Sequence, residues 1–285
     1  MRTVLWCFGG KEEAIEKSKS QADAICFDLE DTVPQALKAE ARMRIVDIFR
    51  TVDFGKKLRL IRVNSVGSEA YYKDLLNCVA HAKPEIIKVP KCETAQDVLT
   101  VDAHLSLIEA MEGIPYGSIA IHASVETPLG IRNTYEIASA CARVQDLGFG
   151  AEDISRAMNV PRRYRDNELD CLYLRQKFVN DVLSAGKKAY DACLLIDDLA
   201  ACEAQDKASR QMGFSGRSTR TEEETIAANR AFSPSREELR VAQGIVDTYD
   251  RVAITGGMPI FEGKMICLAA YRQAKGILAA CQDMD

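Results

Sequence analysis

Apolar runs along this chain end, one after another, in residues that can hold a cation or an anion. Asp28, Glu30 and Asp31 follow "AICF", and Arg62 and Asn64 close "LRLI". Lys91 follows "IIKVP", and Glu126 and Thr127 follow "IAIHASV". Glu152 and Asp153 follow "VQDLGFGA", Asp191 sits in the seventh run, and Arg217 comes after the eighth. One polar residue after a strand is ordinary, because strands lead into solvated loops. A ring of them around one mouth is different, since close carboxylates repel unless a proton or a cation lies between them. The chemistry this suggests is Mg²⁺ held by carboxylate and water oxygens, with two or more side-chain cations beside it.

Elements must bring those residues together. Strand-like runs are Thr3–Phe8, Ala24–Asp28, Leu58–Val63, Ile86–Val89, Ile119–Val125, Val144–Gly148, Ala189–Leu194 and Gly213–Ser215. Between them lie helical stretches: the amphipathic Lys38–Phe49, a segment from Thr94 to Met111 opening with a Thr94/Asp97 capping pattern, Glu168–Ser184 and Asp198–Met212. Such alternation makes βαβ units and a parallel sheet. About eight units in 285 residues predict an α/β fold, a (β/α)8 TIM barrel over 1–232, which needs about 250 residues and carries its chemistry at the C-terminal strand ends. The open dinucleotide-binding sheet is the runner-up, but "CFGGKEE" lacks the glycine fingerprint after the first strand. Residues 233–285 predict a helical extension, Ser235–Thr248 and Gly263–Cys281 around the turn "TGGMP", which covers the barrel end or reaches a neighbouring subunit.

Period-two alternation puts His122, Ser124 and Glu126 on one face of the fifth strand. His122 is then a hydrogen-bonded core residue, or the less common buried proton carrier. His81 and His104 fall on helices and read as surface residues. The basic cluster "PRRYRDNE" after Asp153 reads as a solvated loop or a clamp for an anionic substrate tail.

A formal net charge of -5 gives nucleic acid no basic face, and no run of apolar residues approaches a membrane span. Ten cysteines occur without a close CxxC pair, several inside apolar runs. They read as small buried hydrophobes in a reducing cytoplasm. Small molecules are the partners left.

In order along almost the whole chain, "ADAICFDLEDTVPQALKAEAR", "IRVNS", "IIKVPKCETAQDV", "ASVETPLGI", "GFGAED", "MGFSGR" and "EGKMI" resemble the citrate lyase β-chain family of the HpcH/HpaI aldolase superfamily. The resemblance implies a Mg²⁺-dependent carbon–carbon lyase. Its substrate would be a 3-hydroxyacyl thioester such as citryl-, malyl- or citramalyl-CoA, giving an oxo acid and an acyl thioester. It implies metal ligation by Glu126 and Asp153. Arg62 would be catalytic and substrate-binding, with Glu30 and Asp31 orienting it or bonding metal waters. The backbone at Ala151 and Glu152 would hold the oxo-acid carboxylate, Arg217 would bind a substrate phosphate or carboxylate, and Lys38 and Arg42 would form scaffold salt bridges. A cytoplasmic homo-oligomer, trimer or hexamer, would follow. Two segments depart from the family pattern. "GRSTRTEEETI" has Arg217 for a lysine and Arg220, Thr221 and Glu222 where relatives carry an Ile–His/Asn–Pro–x–Gln motif. Cys267 stands where relatives carry an aspartate thought to serve a neighbouring subunit as acid–base. These departures leave two alternatives open: an aldolase on a free hydroxy-oxo acid without CoA, and a catalytically degenerate oxo-acid-binding homologue.

Overall fold

The computed structural model describes residues 1–282. Residues 283–285, the end of the expected extension, lie outside the described residues. The chain divides into two compact units, 1–232 and 233–285.

The first unit is a closed barrel of eight parallel strands in sequence order, with β8 pairing back onto β1. The strands are β1 (Thr3–Cys7), β2 (Ala24–Asp28), β3 (Leu58–Arg62), β4 (Ile86–Val89), β5 (Ala120–Val125), β6 (Val144–Phe149), β7 (Lys188–Asp191) and β8 (Gly216–Thr219). Both faces are buried, as parallel sheets require. Outward-facing Leu5, Ile25, Phe27, Ile61, Ile87, Ile121 and Leu147 pack under the helices, and Val4, Trp6, Ala24, Cys26, Leu60, Ile86 and Ala120 fill the interior. Phe27 meets Phe49 of the helix Lys38–Thr51 edge-on at 5.2 Å. Each fully buried Ile, Leu or Phe contributes roughly 1.5–3 kcal/mol. The helix Ala95–Glu112 carries the capping box seen in the sequence, with Thr94 and Asp97 satisfying each other's backbone, and ends at Gly113 in the left-handed region.

Two strands differ from expectation. β7 ends at Asp191, short of the expected Leu194. β8 is Gly216–Thr219 rather than Gly213–Ser215. Gly213 instead ends the helix Leu199–Met212 with φ +108. Pairing starts at Gly216, where a Cβ would lie 2.0 Å from the Arg2 carbonyl oxygen, so only glycine lets β8 close against the segment leading into β1. No described helix is long and apolar enough to cross a membrane.

In the second unit, Ser235 and Glu238 form a capping box at the start of the helix Arg236–Thr255, longer than the expected Ser235–Thr248. The expected second helix is divided: a two-stranded antiparallel hairpin, Ile260–Phe261 with Lys264–Met265, precedes the helix Leu268–Gln282. Tyr249 and Tyr271 stack at 4.3 Å between the two helices.

Candidate active site

Strand register sets one polar level inside the barrel. Asp28 of β2 pairs with Arg62 of β3, Arg62 with Lys88 of β4, Lys88 with His122 of β5, and His122 with Asp146 of β6. The last pairing depends on an irregularity: the register jumps between Ile121 and His122, skipping Gln145, so that His122 and Asp146 share the inner face. This level opens upward into a cavity of about 140 Å³ whose rim carries Glu126, Gly150, Ala151, Glu152 and Asp153.

Glu126 directly follows β5 and is only 6% exposed. Among the described residues its carboxylate has no hydrogen bond or ion pair. Burial pushes its carboxyl up to about 7 against the pull of Arg62, with Glu30 and Asp153 adding repulsion. Gly150 makes room for it, since a Cβ there would lie 2.3 Å from Glu126 Cγ. Asp153 sits in the first turn of the helix Ala151–Met158, lines the same cavity, and receives Arg156 at 2.7 Å. The structure thus brings Glu126 and Asp153 to one opening. No three His, Cys, Asp or Glu side chains gather as a ready-made cage among the described residues. Two carboxylates facing a polar opening are what a small hard divalent cation takes when it keeps several waters.

Arg62 is fixed from below. Its Nε and Nη2 donate to Asp28 at 2.6 and 2.7 Å, and its Nη1 lies 3.0 Å from Glu30. Its guanidinium covers the Trp6 ring at 4.7 Å. Two of its five N–H donors are hydrogen-bonded, both to Asp28, and the Glu30 contact is an ion pair, which leaves donors for an anion. Glu30 also receives Lys91 at 2.5 Å, so it positions Arg62 rather than facing the cavity. On the opposite rim, the helix Ala151–Met158 begins with backbone N–H groups that have no intrahelical acceptor. Those of Ala151 and Glu152 fall at the cavity edge, a place that suits a carboxylate.

A family model described as HpcH/HpaI aldolase/citrate lyase matches residues 2–221. The chain is 30% identical over 263 residues to the citrate lyase subunit beta of Escherichia coli K12, covering 92% of this chain and 86% of that protein. The chain belongs to the HpcH/HpaI aldolase/citrate lyase family. It is 29% identical to a malyl-CoA/beta-methylmalyl-CoA/citramalyl-CoA lyase of Chloroflexus aurantiacus, over 93% of this chain and 82% of that one. The CitE protein of Mycobacterium tuberculosis, solved with magnesium, acetoacetate and coenzyme A, shares the fold. Its TM-score is 0.76 at 23% identity, covering 99% of this chain and 98% of that one.

Within this HpcH/HpaI chain, several sequence expectations about placement need correction. Arg217 does not follow the eighth strand; it lies inside β8, 3% exposed, and faces away from the cavity. There its guanidinium meets Asp206 at 2.7 Å and Asp191 at 3.0 Å. It belongs to a buried ionic network with Arg175 and Ser209 and does not line the cavity, and Asp191 is engaged in the same network. Asp31 is largely exposed, tied to Lys91 at 2.9 Å, and does not line the cavity. The Glu152 side chain turns to Arg162 and the Tyr164 hydroxyl, leaving only its backbone for a ligand. Arg162 of the basic cluster also binds Glu168 and Asp170, so it braces the loop instead of clamping a tail.

Lys38 donates to the Leu29 and Glu30 carbonyls and to Asn64, and Arg42 pairs with Asp74, all scaffold contacts. His104 is half-buried against the Tyr71 hydroxyl, not a plain surface residue. Cys267 is exposed, and its sulfur receives the Ala270 N–H at 3.5 Å at the start of the last helix. Sequence reasoning missed Trp6, Lys88, Asp146 and Tyr190. A lysine inside "IIKV" and an aspartate inside "VQDLGF" were the available signals, since each is a charge in a strand buried on both faces.

Proposed function

We propose that this chain is a Mg²⁺-dependent carbon–carbon lyase that cleaves a 3-hydroxyacyl thioester, such as citryl-, malyl- or citramalyl-CoA, to an oxo acid and an acyl thioester. One observation carries the reading: a buried glutamate with no partner among the described residues shares a cavity with a second carboxylate and with an arginine that keeps free donors. The similarity to a citrate lyase subunit beta and to a malyl-CoA/beta-methylmalyl-CoA/citramalyl-CoA lyase supports it.

Glu126 and Asp153 would hold the cation, and the donor set fits it, because Mg²⁺ takes one or two carboxylates and keeps waters. When bound, such a cation supplies Lewis acidity to an oxo oxygen. The backbone N–H groups of Ala151 and Glu152 hold the oxo-acid carboxylate. The bond that breaks joins the carbinol carbon to the carbon next to the thioester carbonyl. Its electron pair moves onto that carbonyl as an enolate, while the carbinol gives up its hydroxyl proton to solvent and becomes the oxo group; the enolate carbon then takes up a proton from solvent to give the acyl thioester. Arg62, held still by Asp28 and Glu30, points its remaining donors at the enolate oxygen, where positive charge without reorganisation lowers the barrier.

The assay is direct. Citryl-, malyl- and citramalyl-CoA are incubated with Mg²⁺, and oxo acid and acyl-CoA are quantified. At least one should be split, and chelation should stop it. Inertness of all three, or release of free CoA with an intact hydroxy acid, sinks the reading.

A second reading, an aldolase on a free hydroxy-oxo acid, has one observation in its favour. The diverged segment is engaged within the fold, Arg217 with Asp191 and Asp206, Arg220 with Glu224 at 2.6 Å. Neither guanidinium stands free for a thioester's phosphates. A large rise in melting temperature with CoA alone excludes this second reading.

A further inference from the structure

The polar level beneath the proposed metal site carries one group that the reaction above does not use. Arg62 is anchored by Asp28, and His122 Nδ1 meets Asp146 at 2.5 Å. An ionised aspartate only accepts, so Nδ1–H donates and the imidazole is locked in orientation. Between these two pairs sits Lys88. It is 7% exposed, and among the described residues its amine makes no hydrogen bond and has no carboxylate within ion-pair distance. Its neighbour is the Trp6 ring, 5.0 Å from Nζ to the centroid. Beside it, two more buried atoms lack partners, His122 Nε2 and Ser124 Oγ. All three side chains line the same cavity as Glu126 and Asp153. Gly148 keeps the space open, since a Cβ there would stand 2.5 Å from His122 Nε2.

A buried amine with no counterion is costly, and so is each unsatisfied buried polar atom. Two such atoms beside that amine in one wall mark a surface built for a ligand. Burial, with the Arg62 guanidinium, pushes Lys88 toward its neutral form in the empty site. Ordered water satisfies a hydroxyl and an imidazole well, but only an anion would hold that amine as an ammonium. The cavity, at about 140 Å³, holds roughly five waters' worth of volume, room for a short acid arm and too little for a nucleotide tail.

Resting on the lyase reading, we propose that Lys88, with Ser124, forms a second anion subsite inside the barrel and selects oxo acids whose far end carries a carboxylate. The 2-oxo end lies at the rim, by Glu126, Asp153 and the Ala151 and Glu152 backbone. The arm on the far side of the oxo carbon points down toward β4 and β5, where Lys88 closes an ion pair and Ser124 donates its hydroxyl. A methyl group in that position would leave the amine without a partner.

Trp6, the single tryptophan, covers this wall and reports its occupancy by fluorescence. The full chain with Mg²⁺ is titrated with pyruvate, which has one carboxylate, and with freshly prepared oxaloacetate, which has two; calorimetry gives the affinities. The dicarboxylate should bind at least tenfold more tightly. Lys88→Met, which keeps length and removes the charge, should cut that preference at least fivefold, and Ser124→Ala by two- to threefold. Equal affinities in the unaltered protein overturn the subsite. So does a Lys88→Met variant that weakens both ligands in the same proportion, because Lys88 would then serve the shared 2-oxo carboxylate. If Lys88→Met does not fold, the unaltered preference and Ser124→Ala decide. Pyruvate binding that needs Mg²⁺ supports the metal site independently, so loss of preference alone removes only the subsite, whereas no binding of either acid removes both.

Discussion

At the residue scale, Arg62 concentrates three demands in one side chain. It neutralises Asp28 and Glu30, covers Trp6, and still presents donors to the cavity. Only a planar guanidinium does all three, since a lysine ammonium is a point charge without the two-pronged geometry that grips a carboxylate. Arg62→Lys should therefore keep the fold but lose about 10²–10³ in kcat, the usual loss when one donor to a developing oxyanion is removed. KM should change far less. Steady-state kinetics on the best thioester measures this, and a loss under threefold would mean Arg62 does not touch the transition state. Asp28 shows why the geometry holds. Its carboxyl lies below the usual range because Arg62 and the Thr32 hydroxyl bond to it, against the cost of burial. It stays ionised throughout the neutral range and keeps the guanidinium in place.

At the scale of elements, the site depends on how β5 and β6 end side by side. Gly150 has φ -103, a conformation open to any residue. Its requirement is spatial: an alanine Cβ would press on Glu126 Cγ at 2.3 Å and Cβ at 2.9 Å. Gly150→Ala should thus displace the carboxylate without straining its own backbone. Mg²⁺ affinity should fall by about ten- to a hundredfold, the range seen when a ligand's support is removed, with an unchanged circular dichroism spectrum. Unaltered affinity would show that Glu126 is not a ligand. Much of this architecture was legible in the sequence. Alternating apolar runs gave eight strands, and period-two spacing placed His122, Ser124 and Glu126 on the inner face, where all three line the cavity. What failed was local. The phase of β8 was misread because "GFSGRST" has no apolar alternation to mark its start; Gly216 begins it through a backbone contact with Arg2 that no periodicity reveals. That three-residue slip carried Arg217 from a buried outer position to the imagined rim. The partners of Glu152 and Arg162 were equally invisible, because they are fixed by how the loop after the helix Ala151–Met158 folds back.

At the scale of the whole molecule, the metal site and stability are linked through Glu126. Its folded-state carboxyl is raised to about 7 from an ordinary 4.5. A raised carboxyl contributes stability that is fully present below the unfolded value and is lost as pH rises through the folded one. In metal-free protein this contribution therefore fades between about pH 4.5 and 7, at a cost of roughly 3 kcal/mol when complete. A divalent cation takes the place of the proton. Below pH 6 the two compete and Mg²⁺ should add little. Above pH 7.5 the carboxylate is bare and each tenfold excess of Mg²⁺ over its dissociation constant adds about 1.4 kcal/mol. The difference in melting temperature with and without 10-fold to 100-fold saturating Mg²⁺ should grow from near zero at pH 5.5 to several degrees at pH 8. Glu126→Gln removes both the titrating group and the ligand charge, so its difference should stay small and flat across that range. Other buried carboxyls shift the absolute curve, Asp206 among them, but they cancel in the comparison at each pH. An increment that is the same at pH 5.5 and 8, or one that survives Glu126→Gln, would place the cation somewhere other than the end of β5.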